Sequence, residues 1–336
     1  MKRIQQHLDP FLIVTLVLCG FSLWPLLRQA GLPNGDDVLY HVYRAAEMDR
    51  AWANGVYLPR WAEAFYEGYG APLFHYYASL TYYTTSVMTR LLGLDAVNSL
   101  RLVIALCMLG SGAGVYGFVR AYAGRAGGVL GALAYVYSPY ILFTEPYARG
   151  TYPELMAFAL FPAVMWAYSR VIRRGDALSV GCAALGSGLL IITHNLMALV
   201  LTALLAGWLG FGGMSSVLVK RAALRRYGLG VMVVGLGVGL AAYFWLPVMR
   251  EGDAVKLNNL IGVAQLDYRN FFVPTYDLFA HSPRLDAGAF NGLEAQLNLG
   301  VAQWGLALAG VLGVVGVWLW RRDGLAEGAV VQTAFF

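Results

Sequence analysis

Long apolar runs alternating with short polar interruptions set the pattern of the chain. Eight runs stand out: Phe11 to Leu27, Leu100 to Val119, Gly127 to Phe143, Leu155 to Val171, Leu178 to Thr193, Leu196 to Gly212, Tyr227 to Met249 and Gln303 to Trp320. An α-helix rising about 1.5 Å per residue needs runs of about this length to cross a hydrocarbon core about 30 Å thick. The pattern predicts an all-α membrane protein. A ninth run, Leu73 to Leu92, has different contents: Phe74, His75, Tyr76, Tyr77, Ser79, Tyr82, Tyr83 and four threonines. Aromatic rings with polar tips anchor at headgroup depth, so this run reads as a membrane-lying segment.

The basic residues test that reading. With eight crossings, Lys2/Arg3, Arg120/Arg125, Arg170/Arg173/Arg174, Lys220/Arg221/Arg225/Arg226 and Arg321/Arg322 all fall on one side, as the positive-inside rule requires. Counting Leu73 to Leu92 as a ninth crossing splits them between the two sides. The N-terminus is therefore expected in the cytoplasm, in a multi-pass protein of the cell membrane. Lys2 and Arg3 before an apolar run also resemble a signal peptide, but Arg28 to Pro33 offers no small-x-small cleavage site, so the first helix is expected to stay uncleaved.

Composition agrees. Of 336 residues, 59% are apolar and 13% charged, about half the charged share of a soluble domain. The 40 glycines suit close helix approach in lipid, with Gly110 to Gly117 and Gly228 to Gly239 as packing faces. Cys19, Cys107 and Cys182 each lie in an apolar run and read as small hydrophobes, offering no disulfide framework or metal cluster. The net charge of +5 sits in short clusters between apolar runs, so it reports topology and excludes a nucleic-acid site.

Chemistry concentrates in the outer connections: a long first loop, 28–99, carrying juxtamembrane helices, a short one at 144–154, a tight turn at 194–195 and a long last one at 250–302. In Asn34-Gly35-Asp36-Asp37-Val38-Leu39-Tyr40-His41-Val42-Tyr43-Arg44, an Asn-Gly turn precedes a helix that Asp36 or Asp37 can cap. On that helix Asp37, His41, Arg44 and Met48 share one face. A capped amphipathic helix explains one acid; the second opens the alternative of a general base or a cation site. In Glu145-Pro146-Tyr147-Ala148-Arg149-Gly150-Thr151-Tyr152-Pro153-Glu154, Arg149 and Glu154 lie near the outer interface. They are either solvated charges on a turn or, for Arg149, a forked donor for phosphate. His194 with Asn195 is a helix-end hydrogen-bonding group or a site residue.

These stretches carry a resemblance. Asp36-Asp37, His41, Arg44, Tyr57-Leu58-Pro59-Arg60-Trp61, Gly68-Tyr69-Gly70-Ala71-Pro72-Leu73-Phe74, Arg149-Gly150 with Glu154 and Phe161-Pro162, Thr193-His194-Asn195 and Phe244-Trp245-Leu246-Pro247 resemble the bacterial membrane proteins called 6-pyruvoyl-tetrahydropterin synthase-related. Nothing here resembles the soluble pterin enzyme. Such proteins are in turn similar to the GT-C superfamily of membrane glycosyltransferases. The resemblance implies a GT-C-like bundle that transfers a sugar from a polyprenyl-phosphate carrier, on the outer face, to an acceptor glycan, lipid or protein. It implies Asp36, Asp37 and Glu154 as catalytic acids, and His41, Arg44, Arg60, Arg149 and His194 as substrate-binding residues. A divalent cation (Mg or Mn) shared by Asp36 and Asp37 is left open, without a third ligand. No other cofactor is implied.

Two other function classes stay open. A non-catalytic envelope assembly protein would keep the scaffold without the reaction. A lipid or glycan transporter should show internal repeats or mid-membrane charges, whereas here the charges fall at helix ends. The run Ala329 to Phe336 reads as an interrupted next helix, so residues 1–336 are expected to be one transmembrane domain of a longer protein.

Overall fold

A computed structural model of the chain describes residues 9–219, 221–256, 263, 267–282 and 297–320. Its helices are α1 (Pro10–Gly20), α2 (Val38–Ala53), α3 (Leu80–Leu92), α4 (Ala96–Val136), a π-helix (Tyr140–Arg149), α5 (Tyr152–Arg174), α6 (Ala177–Ile191), α7 (Asn195–Val219), α8 (Arg221–Leu240), α9 (Ala242–Arg250) and α10 (Val301–Trp320). Shorter helical turns lie between them. Among the described residues, β-pairing is confined to an isolated bridge, Ala62 to Ala71. The chain is an all-α protein.

Four described helical stretches are long and apolar enough to cross a bilayer: Pro10–Arg28, Ala96–Arg149, Tyr152–Arg174 and Asn195–Ser215. The second is not one rod. Gly124 has φ 74° and ψ −175°, and the chain folds back there. Gly112 comes within reach of Val136, Gly128 packs on Tyr116 and Arg120, and Gly131 packs on Val119. A straight helix would hold Gly112 and Val136 about 36 Å apart. The two expected runs, Leu100 to Val119 and Gly127 to Phe143, are thus antiparallel legs of one hairpin.

The run Tyr227 to Met249 is not a straight span. Leu224–Leu240 and Ala242–Arg250 meet at 69°. The Trp245 indole donates to the Val238 carbonyl at 2.8 Å, and side-chain insertion of this kind turns a helix sharply. Gly237 and Gly239 on either side of Val238 weaken the helix further. The apolar helices Ala177–Ile191 and Val301–Val317 are shorter. At 13 residues, α3 covers about 20 Å and falls short of a crossing.

The segment 144–154 also departs from expectation. It is helical through Arg149, and only Gly150 and Thr151 separate the π-helix from α5.

Arg120, Arg125, Arg173 and Arg226 gather at one end of the bundle. Arg120 and Arg125 pair with Asp9. Arg173 donates to the Ala121 carbonyl at 2.6 Å, and Arg226 donates to the Arg173 carbonyl at 2.7 Å. Such donors complement helix C-termini, whose last carbonyls have no intrahelical partner. Lys2, Arg3, Lys220, Arg321, Arg322 and the run Ala329 to Phe336 lie outside the described residues, as does much of 250–302.

Glycines make the close contacts that lipid packing needs. Gly114 meets Pro162 and Ala163, Gly117 meets Trp166, and Gly237 meets Ser187 and the Ala184 carbonyl. Cys19 and Cys107 are buried small hydrophobes, while Cys182 is exposed on the surface of α6.

Candidate functional site

The helices of the first long loop meet the bundle where the π-helix ends. The Asp36 amide donates to the Ala148 carbonyl at 3.2 Å and the Asp37 amide to the Arg149 carbonyl at 2.8 Å. Two glycines allow this docking. A Cβ on Gly35 would lie 2.9 Å from the carbonyl oxygens of Tyr147 and Ala148, and one on Gly150, which has φ 69°, would overlap Val38 Cγ2. The acid pair and the Arg149 turn, separated by more than a hundred residues in sequence, are hydrogen-bonded neighbours.

Asp37 holds the N-cap position of α2, yet its side chain makes no capping hydrogen bond. The expected cap is absent, so capping does not consume its carboxylate. Asp37 lies within electrostatic reach of Arg44 and His194. Asp36 is exposed. The shared helix face is realised: His41 and Met48 are buried, and Arg44 is half-buried between them.

His41 Nδ1 lies 2.7 Å from the Tyr82 hydroxyl. Its Nε2 is buried without a hydrogen-bond partner, as are Arg44 Nε and the Tyr152 hydroxyl. Tyr152 stacks obliquely on the His41 ring at 5.4 Å. Burial holds the His41 imidazole down at about 3, with Arg44 and His194 adding to the effect, so it is neutral at physiological pH. Arg44 sits over the Tyr77 ring at 4.4 Å, a cation–π contact.

Arg149 is the centre of a second network. Its Nη1 donates to the Tyr140 hydroxyl at 2.6 Å, to Glu145 Oε1 at 2.8 Å and to Glu154 Oε2 at 3.2 Å. Tyr140 in turn donates to Glu154 Oε1 at 3.1 Å, and the Thr151 hydroxyl donates to Glu145 Oε2. Glu145 is fully buried, whereas the Arg149 side chain is 36% exposed. A π-helix widens the turn and recurs at functional sites; here it carries Tyr140, Glu145 and Arg149.

His194 accepts the Met197 amide on Nδ1 at 3.2 Å, which caps α7. Burial lowers its pKa, and Glu154, Arg149 and Asp37 lie within electrostatic reach. Next to it, Asn195 clamps the aromatic segment, donating to the Tyr76 carbonyl at 2.8 Å and accepting the Ala78 amide at 3.0 Å. Arg60 belongs to another group. It donates to the Tyr243 carbonyl at 2.7 Å and lies 3.2 Å from His75 Nδ1, while His75 Nε2 is 3.2 Å from Glu251.

Asp37, His41, Arg44, Arg149, Glu154 and His194 are therefore neighbours, and Arg60 is anchored elsewhere. Among the described residues, no three His, Cys, Asp or Glu side chains converge as a metal site. Asp36 and Asp37 thus find no third such ligand there. Sequence reading assigned no site role to Glu145, Tyr140 or Tyr82. Glu145 stands four residues before Arg149, an ion-pair spacing on a helix that a loop assignment hides.

The model of the 6-pyruvoyl-tetrahydropterin synthase related domain, described as a membrane protein, matches residues 74–332. The chain belongs to this family. The family match takes in the Glu145 to Glu154 turn, His194 and the bend at Phe244 to Pro247, but begins after Asp36, Asp37, His41, Arg44 and Arg60. For those five residues the site rests on their own geometry. No curated protein matches the chain. Family membership makes lipid the solvent of the bundle and leaves the chemistry to be argued from the side chains.

Proposed function

We propose that this family member is a GT-C-like glycosyltransferase, which moves a sugar from a polyprenyl-phosphate donor to an acceptor hydroxyl or amine at the extracytoplasmic rim of the membrane. The observation that carries the reading is the pair of backbone hydrogen bonds from Asp36 and Asp37 to Ala148 and Arg149. They join the backbone of the acid pair to the turn that carries Arg149, and the Asp37 carboxylate, which caps no helix, lies within electrostatic reach of Arg44 and His194.

In this reading the acceptor oxygen or nitrogen attacks the anomeric carbon and gives its proton to Asp37. The bond from that carbon to the phosphate oxygen breaks, and its electron pair stays on the phosphate. General-base help of this kind is worth about 10² to 10⁴ in rate. Arg149, with Arg44 as a second cation, stabilises the charge that grows on the departing phosphate. Glu145 and Glu154 act as positioning residues that fix the Arg149 fork. His41, neutral and bound to Tyr82, offers its buried Nε2 to a hydroxyl of the substrate. No step requires a cation.

The test is incorporation of labelled sugar from a polyprenyl-phosphate donor into envelope material, in cells carrying Asp37→Asn or Asp36→Asn. Asp37→Asn should abolish transfer at unchanged protein level, with donor accumulating by mass spectrometry; Asp36→Asn should cost less. Normal incorporation with both residues replaced would instead indicate a non-catalytic assembly protein.

A further inference from the structure

The opposite end of α5 carries a feature that the sugar-transfer reading does not use. Arg170 lies 16 residues beyond Glu154 on the same helix, about 24 Å along its axis. Between α5 and α6 runs a groove of about 250 Å³ whose lining includes Leu160, Ala163, Val164, Trp166 and Cys182, with Arg170 beside them. Trp166 is exposed, as are Leu178 and Leu185 on the flanking helix. The groove therefore faces the membrane. In lipid, apolar walls are lined by acyl chains, and the feature needing explanation is the cation at the groove's end.

Arg170 Nε is buried and has no hydrogen-bond partner. The guanidinium carbon lies 5.9 Å from the centroid of the Trp166 ring. Asp176 is within electrostatic reach, but its carboxylate is engaged by the Ser179 amide and hydroxyl, both at 2.9 Å. Arg173 and Arg226 add positive charge at the same end of the bundle, and each donates to helix-end carbonyls. An unpaired buried guanidinium donor is costly, and an anionic oxygen satisfies it through a charge-assisted bond. Clefts between membrane helices with a basic mouth hold phospholipid headgroups in this manner.

We infer that the groove between α5 and α6 binds one anionic phospholipid, with an acyl chain along Leu160, Val164 and Cys182 and the phosphate on Arg170. The site is separate from the Arg149 network, so it stands or falls independently of the proposed reaction.

The test is native mass spectrometry of the full chain released from nanodiscs of phosphatidylglycerol and phosphatidylcholine in equal parts. The wild-type protein should retain one phosphatidylglycerol in preference to phosphatidylcholine. Arg170→Gln should lower that preference about fivefold, the factor one basic side chain near a lipid surface is worth. Arg174→Gln, an exposed neighbour outside the groove lining, should leave it unchanged. Cys182→Phe, at an exposed position, should fill the groove and reduce retention of either lipid. Equal retention of the two lipids by the wild type would overturn the inference, as would the same loss with Arg174→Gln as with Arg170→Gln. If Arg170→Gln does not fold, undiminished retention by Cys182→Phe overturns it alone.

Discussion

The contact between Gly150 and Val38 joins the two halves of the site, and it can be loaded in a controlled way. Gly150→Ala places a methyl group at φ 69°, inside the radius of Val38 Cγ2, 3.2 Å from the Val38 amide nitrogen and 3.4 Å from its Cβ. The left-handed backbone costs about 1 to 2 kcal/mol for a residue with a Cβ, and overpacking adds about 1 to 3 kcal/mol. The single variant should therefore lose about 2 to 5 kcal/mol. Val38→Ala alone removes two buried carbons, at about 0.8 kcal/mol each in transfer plus a cavity term, so about 2 kcal/mol. In the double variant the overlap is gone, and of the Gly150→Ala loss only the backbone penalty survives, beside the Val38→Ala loss. The two losses should then fall short of additive by the overpacking term, about 1 to 3 kcal/mol, outside the ~0.5 kcal/mol within which independent sites add. Reversible unfolding in mixed detergent micelles measures all four corners of the cycle. Additivity within that margin would mean that Val38 and Gly150 do not touch, and the docking of Asp37 on Arg149 would fall with the contact.

The remaining predictions are local. His41 has a folded-state pKa of about 3 against about 6.5 unfolded, so the unfolded chain binds the extra proton between those values. Its contribution is complete above pH 6.5 and shrinks as pH falls toward 3, about 2 kcal/mol being lost by pH 5; the unfolding midpoint of His41→Gln should decline less over that window. Asn195→Ala removes two hydrogen bonds to the 76–78 backbone and should cost about 2 kcal/mol, at about 1 kcal/mol for each bond; increased proteolysis near Tyr77 would report the freed segment, and an unchanged digest would count against the clamp. Arg149→Met strands Glu145 in a fully buried position and should destabilise by about 3 kcal/mol, the low end for a broken buried pair because the arginine is partly exposed. Adding Glu145→Gln should recover much of that loss in thermal unfolding.

Some of this was legible in residue order and some was not. The apolar runs located the helices because lipid imposes both length and composition on a crossing element. The one-face spacing of Asp37, His41 and Arg44 was equally plain, since α2 is a regular helix. The loop assignment of 144–154 failed because Pro146 and Gly150 read as breakers, whereas Pro146 sits inside a π-helix. That error hid the Glu145–Arg149 pair. The 69° bend was hidden for a different reason. It depends on a tertiary hydrogen bond from Trp245 to Val238, and hydropathy averages over both arms. The setting of Arg60 was not legible because its partners, Tyr243 and His75, lie in segments whose approach no local spacing encodes.

Charge sets the sharpest demand on the proposed chemistry. Glu145 and Glu154 each lie within 3.2 Å of the same nitrogen of Arg149, so their carboxylate oxygens are at most about 6 Å apart. At that separation two full negative charges repel by about 3 kcal/mol at an effective dielectric of about 20. A donor phosphate arriving at Arg149 brings a further negative charge, and it must displace one carboxylate or meet a neutral one. Glu145→Gln removes a charge while keeping the side chain's length and an acceptor for Thr151. If Arg149 is a phosphate site, Glu145→Gln should therefore hold the polyprenyl-phosphate donor as tightly as the wild type or more so, while Arg149→Met/Glu145→Gln loses it. If Glu145 is instead the structural counter-ion of an arginine that never meets substrate, the two variants will bind donor alike. Equal donor affinity in correctly folded Glu145→Gln and Arg149→Met/Glu145→Gln, measured in the same nanodiscs, would remove Arg149 from the reaction and leave Arg44 alone to meet the leaving group.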